Sequence, residues 1–147
     1  MVIPKDFKEL LGLFDARNVE YLIVGGYALA FHGAPRFTGD IDLLIKPDHQ
    51  NAKRILAALD EFGLGSLELS ESDFTTPHNL IQLGVPPVRV DIMTSLTAVD
   101  WAEADQNKVC TDYDGIPACF ISKADLITNK KALARKKDLA DLEALGQ

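Results

Sequence analysis

The sequence predicts an α/β (α+β) fold, a mixed β-sheet flanked by helices and closed by C-terminal helices. Three observations predict it. Apolar residues recur at helical spacing in two separate stretches, Phe7, Leu10, Leu11 and Phe14, then Ile55, Leu56, Leu59 and Phe62. Short apolar or alternating runs of strand length lie between and after them, at residues 20–24, 40–46, 79–85 and 88–93. Helices and strands interleaved in this way build one layered sheet, and 147 residues suit a single domain spanning 1–147.

Each element follows in order. Pro4 opens the first helix, since its missing N–H belongs to a position with no intrahelical partner anyway. Residues 20–24 read as a buried strand that runs into Gly25-Gly26, and residues 27–31 as a short helix. A loop containing Pro35 leads to the strand at 40–46, which Pro47 closes. Residues 50–62 form the next helix, and residues 63–77 read as a short strand and a loop. Two strands, 79–85 and 88–93, are separated by Pro86-Pro87, and the region around Trp101 is helical or irregular.

Residues 108–122 read as a hairpin turning at Asp114-Gly115, a type I′ signal. With that turn, Asp112 pairs with Pro117 at a non-hydrogen-bonded position, which suits a residue without an N–H. Cys110 and Cys119 then form a second non-hydrogen-bonded pair, with Cα atoms about 4.5 Å apart. In a reducing cytosol both thiols are expected to stay free. Ser122 caps the helix that follows, with Asp125 three residues on in a capping-box pattern, and one or two helices end the chain.

Composition excludes several functions. Hydrophobic residues make up 47% and charged residues 25%, an ordinary globular balance. No apolar run reaches the ~18 residues that span a bilayer, and residues 1–6 lack a signal peptide's apolar core, so the expectation is a cytoplasmic protein with no membrane partner. Two cysteines are too few for a disulfide framework, and neither they nor the three histidines form a zinc pattern. A net charge of −7 argues against broad binding of duplex nucleic acid. The charge is uneven, because six of the 15 basic residues lie between Lys123 and Lys137.

Chemistry concentrates in Val24-Gly25-Gly26, thirteen further residues, and then Asp40-Ile41-Asp42-Leu43. On a strand, alternate side chains share a face, so Asp40 and Asp42 project together with Cα atoms roughly 6.5–7 Å apart. Two carboxylates this close repel, and a hard divalent cation relieves the repulsion. The glycines let backbone approach a ligand closely, and N–H groups at a helix start hold phosphate oxygens. Carboxylates for a metal and glycines for phosphate fit a metal–triphosphate complex.

A third carboxylate, Asp91, lies within Val88-Arg89-Val90-Asp91-Ile92-Met93, where alternation puts Arg89, Asp91 and Met93 on one face. Taken alone, Asp91 equally faces solvent or pairs with Arg89. Beside the Asp40 strand, it completes a triad. Farther on, Lys123, Lys130 and Lys137 repeat every seven residues and share a face if the helix is continuous. They form a phosphate-binding surface, led by Lys130, or a solvated face compensated by Asp138 and Asp141. Arg36, in the loop before the aspartates, is a further phosphate candidate.

These motifs together resemble the DNA polymerase β-like nucleotidyltransferase superfamily. The stretch Phe31-His32-Gly33-Ala34-Pro35-Arg36-Phe37-Thr38-Gly39-Asp40-Ile41-Asp42 is similar to its minimal AbiEii-toxin-like branch, as is Asp125-Leu126-Ile127-Thr128-Asn129-Lys130 followed by Arg135-Lys136-Lys137-Asp138-Leu139-Ala140-Asp141-Leu142. The resemblance implies a polymerase β palm-like fold and a two-metal mechanism. Asp40, Asp42 and Asp91 would hold Mg²⁺ or Mn²⁺, and Gly25, Gly26, Arg36, Thr38 and Lys130 would bind the nucleotide, ATP or another NTP. An NMP group would pass to an acceptor hydroxyl on an RNA 3′ end, a protein or a small molecule, with pyrophosphate released. The alternative is a non-catalytic nucleotide- or partner-binding domain of a toxin–antitoxin-type system, with a partner protein or a second copy of the chain.

Overall fold

The computed structural model describes residues 3–35, 38–65, 67–85 and 88–147. Its helices are α1 (Lys5–Ala16), α2 (Gly25–Phe31), α3 (His49–Leu59), α4 (Trp101–Asn107), α5 (Lys123–Leu133) and α6 (Lys136–Ala144). Its strands are β1 (Tyr21–Val24), β2 (Asp40–Ile45), β3 (Leu80–Val85), β4 (Val88–Met93), β5 (Val109–Tyr113) and β6 (Ile116–Phe120). They form one mixed sheet in the order β3-β4-β2-β1-β6-β5. The β2–β4 and β1–β6 pairs are parallel, and the other three are antiparallel.

The helical stripes seen in the sequence build the core. Phe7, Leu10, Leu11 and Phe14 of α1 are buried, as are Ala52, Ile55, Ala58 and Leu59 of α3, and the two helices pack together. On β2, Ile41, Leu43, Leu44 and Ile45 are buried while Asp40 and Asp42 are half-buried, so alternation holds where the aspartates stand. Asn51 is a buried polar plug that the sequence did not announce. Its Oδ1 accepts from Glu20 N–H at 2.8 Å, and its Nδ2 donates to the carbonyls of Glu20 at 3.0 Å and Lys46 at 2.9 Å. It ties the residue before β1 to the residue after β2, so every buried polar atom it brings is satisfied.

Two expectations need correction. Residues 63–77 hold no strand among those described. A wide helical turn at Asp60–Leu64, with Gly63 at φ 102°, extends α3, and a 3₁₀ turn follows at Glu71–Phe74. That turn is capped by Ser70 and Asp73 and buries Phe74 completely, so a tertiary anchor decides the segment. Of the one or two C-terminal helices expected, two form, because Ala134 at φ 50° separates α5 from α6, so the condition for the three lysines to share a face is not met. The hairpin has the expected register and positive φ at Asp114 (52°) and Gly115 (90°), but Cys110 and Cys119 are joined in a disulfide rather than free. Their cross-strand pairing brings the Cα atoms to 4.0 Å, within bonding reach of the two sulfurs. Among the described residues, no helix is long and apolar enough to cross a membrane.

Candidate active site

The parallel register of β2 and β4 sets Asp42 opposite Asp91 and Asp40 opposite Arg89. Because paired residues point to the same face, all three aspartates meet above the sheet. One carboxylate oxygen from each of Asp40, Asp42 and Asp91 lies within 4.8 Å of the other two. The Arg89 guanidinium bridges two of them. Its Nη2 donates to Asp40 Oδ2 at 2.8 Å and to Asp91 Oδ2 at 3.1 Å, and its Nε donates to Asp91 Oδ1 at 3.1 Å. Both readings of Asp91 are therefore realised at once, since it joins the triad and pairs with Arg89.

Asp42 is not held by this guanidinium. Burial, then the Asp40 charge, then the Asp91 charge push its carboxyl up to about 7, against a smaller opposing pull from Lys137 and Arg89. This concentration of negative charge is the property that fits a divalent cation with hard oxygen ligands.

The glycine turn is shaped by the same carboxylate. Gly25 has φ 68°, and a Cβ there would fall on the Asp42 carboxylate. A Cβ on Gly26 would stand 2.9 Å from the Thr38 Cβ. Both glycines lie inside α2, at its first turn, so their smallness is required by the aspartate strand and its flank as well as by any phosphate. Thr38 in turn donates its hydroxyl to the Asp40 carbonyl at 3.0 Å, fixing the start of β2.

A cavity of about 390 Å³ opens over this floor. Gly25, Gly26, Asp40, Asp42 and Asp91 line it together with Lys130, so the structure gathers these predicted residues in one place. Thr38 does not line it, and Arg36 lies outside the described residues. Lys123 is exposed and does not line the cavity. A second cavity, of about 410 Å³, lies against the β5–β6 hairpin and contains none of the three aspartates.

The α5–α6 wall differs most from the sequence reading. Lys130 is buried, and its ammonium donates to Asp141 at 2.8 Å and lies 3.7 Å from Asp138. Burial acts to raise the Asp138 carboxyl, but hydrogen bonds from Arg135 outweigh it and hold it below its ordinary value. Asp138 and Asp141 thus compensate charge, the second reading considered for this segment, and do so inside the protein. Lys137 lines the cavity wall, as the phosphate-surface reading of the lysines had it, but from α6 rather than from one helix continuous with Lys130. Sequence reasoning missed the apolar lining from Leu80, Met93, Leu96, Leu126 and Leu133. His32 is structural, with Nε2 2.7 Å from the Ile121 carbonyl oxygen, and Tyr27 is buried edge-on to Phe7 at 5.9 Å.

Residues 3–146 match a family model described as a nucleotidyltransferase of unknown function, DUF6036. No curated protein sequence matches the chain. Several solved structures share its fold. A candidate nucleotidyltransferase from Thermotoga maritima superposes with a TM-score of 0.63 at 19% identity, over 97% of this chain and 93% of that one. The lincosamide antibiotic adenylyltransferase LnuA, with lincomycin bound, gives 0.60 at 15% identity over 99% and 98%. ANT(2″)-Ia, in complex with adenylyl-2″-tobramycin, gives 0.60 at 17% identity over 95% and 84%. At these identities the likeness is one of fold.

Proposed function

The chain belongs to the DUF6036 nucleotidyltransferase family, within the polymerase β-like superfamily, and from that premise we propose that it is a metal-dependent enzyme moving an NMP group from an NTP to an acceptor hydroxyl. The observation that carries this reading is the meeting of Asp40, Asp42 and Asp91 across the in-register β2–β4 pair at the floor of a cavity. Those three residues would hold Mg²⁺ or Mn²⁺, which when bound neutralises phosphate charge and stabilises the entering and leaving oxygens.

The chain's own groups do the rest. Gly25 and Gly26 present backbone at the cavity wall, close to the Asp42 carboxylate. Asp91 orients the acceptor hydroxyl and takes its proton. The acceptor oxygen bonds to the α-phosphorus, the bond to the α,β-bridging oxygen breaks, and pyrophosphate leaves with that electron pair. Positioning and charge neutralisation supply most of the rate enhancement. Arg89 must give up part of its hold on Asp40 and Asp91 as cations enter.

A small hydroxylated molecule is the acceptor class we favour. LnuA and ANT(2″)-Ia, which share the fold, are named with small antibiotics. The net charge of −7 disfavours a polyanionic acceptor. The non-catalytic reading draws its support from Arg89, which already supplies a cation to two of the carboxylates. Calorimetric titration of each NTP with and without Mg²⁺, followed by pyrophosphate release assayed with small-molecule, RNA and protein acceptors, separates the readings. Mg²⁺-dependent binding and acceptor-dependent pyrophosphate are expected and should vanish in Asp42→Asn. Absence of any NTP binding would sink the enzyme reading.

A further inference from the structure

We propose that Lys137 is the side chain that grips the nucleotide's triphosphate, and that Lys130 is a positioning residue behind it. The inference rests on the nucleotidyl-transfer reading above and assigns its phosphate-binding cation. Among the described residues, four cationic side chains line the cavity, Arg89, Lys130, Arg135 and Lys137. Three are committed to carboxylates. Arg89 holds Asp40 and Asp91. Lys130 donates to Asp141 at 2.8 Å. Arg135 donates to Asp138 at 2.6 Å through Nε and 3.2 Å through Nη2. Lys137 is exposed, lines the same cavity, and makes no hydrogen bond or ion pair among the described residues. Asp42 lines the same cavity.

Among the described residues, an anion entering the cavity therefore finds one cation available without breaking an internal pair. Lys130 reaches a phosphate only by giving up its buried contacts with Asp141 and Asp138, a costly exchange. A lysine on a flexible four-carbon stem is a mobile point charge suited to phosphate oxygens. What Lys130 does instead is fix the ground on which Lys137 stands. The turn at Ala134 is held from the α5 side by Lys130 on Asp141, and from its own backbone by Arg135 N–H on Asp138 at 3.1 Å. Lys137 sits in the first turn of α6, one residue before Asp138, so these bonds set its direction.

The test titrates Mg²⁺ with ATP, GTP, CTP, UTP and, separately, inorganic tripolyphosphate into wild type, Lys137→Ala, Lys137→Arg and Lys136→Ala. Removing one charge-assisted contact should weaken binding of the preferred NTP and of tripolyphosphate about 10- to 100-fold in Lys137→Ala. Lys137→Arg should restore most of it, and Lys136→Ala should bind as wild type. Melting temperature should not move in any of the three, because Lys137 supports no internal bond. The double variant Lys130→Met/Asp141→Leu, which exchanges the buried pair for apolar packing, should bind within about tenfold of wild type. Lys137→Ala binding within twofold of wild type overturns the assignment. A folded double variant that loses clearly more than Lys137→Ala, beyond what lost support for Lys137 can cost, returns the phosphate contact to Lys130. Wild type that binds neither any NTP nor tripolyphosphate overturns the transferase reading and this one together.

Discussion

Replacing Asp42 by asparagine should stabilise the metal-free protein at pH 8 and leave it unchanged near pH 4. The sign follows from the direction of the shift. The Asp42 carboxyl is raised from 3.8 to about 7 in the fold, so over that interval the native state holds a proton that the unfolded chain has released. Stability is then lost as pH rises from about 4 through about 7, the reverse of a salt-bridged aspartate. A rise of about three pH units corresponds to a ceiling of about 4 kcal/mol. Partial exposure and ionic screening reduce it to roughly 1–3 kcal/mol at moderate salt. The asparagine amide has the same shape as the carboxylate and cannot ionise, so the variant escapes the cost. Urea denaturation of both proteins in EDTA at pH 4, 6 and 8 measures the difference directly. At pH 8 with millimolar Mg²⁺ the order should reverse, since the ion binds the folded carboxylates and stabilises wild type by mass action. The same difference between variant and wild type at pH 4 and pH 8 without metal would show that burial and the neighbouring carboxylates do not oppose the Asp42 charge, and the metal reading would lose that support.

Other perturbations separate the remaining roles. Lys130→Ala should cost about 3–5 kcal/mol in chemical denaturation, because it removes the buried cation that faces Asp138 and Asp141, whereas Lys137→Ala should cost almost nothing. Arg89→Met should lower the Mg²⁺ concentration needed for half-saturation, by removing the competing internal cation. It should also lower the metal-free melting temperature, and unchanged values on both counts would remove Arg89 from the site. Reducing the Cys110–Cys119 bond should destabilise by about 2–3 kcal/mol, given the short loop it closes. Thiol titration of unfolded protein without reductant should find no free thiol, and two free thiols would refute the bond.

Where chemistry rides on a short repeating pattern, the sequence was enough. The period-2 phase of β2 put Asp40 and Asp42 on one face, and the same phase on β4 put Asp91 with Arg89. The hairpin pairing followed from Asp114-Gly115 and from the N–H that Pro117 lacks. Lys130 and Lys137 could not be read this way. Their separation depends on Ala134 adopting φ 50°, a conformation for which alanine gives no signal. Only the Arg135-to-Asp138 spacing hinted that a second helix starts there, and it resembles an ordinary surface pair until Asp138 is seen to be buried. Residues 63–77 failed similarly, because the anchor is Phe74 packing across the fold rather than any local preference.

The pairing of Asp42 with Asp91 joins residues 49 positions apart in the chain. Strands so distant meet late, after a long loop has closed. The carboxylate cluster therefore does not exist in partly folded chains that lack the β2–β4 ladder. An ion bound by that cluster has nothing to grip on the way into the fold and must be released on the way out. Mg²⁺ should then act almost wholly on the unfolding limb of a chevron, slowing unfolding while leaving refolding unchanged. The same dependence makes the ion a clock for the centre of the sheet, since metal capture after dilution from denaturant marks the moment β4 docks on β2.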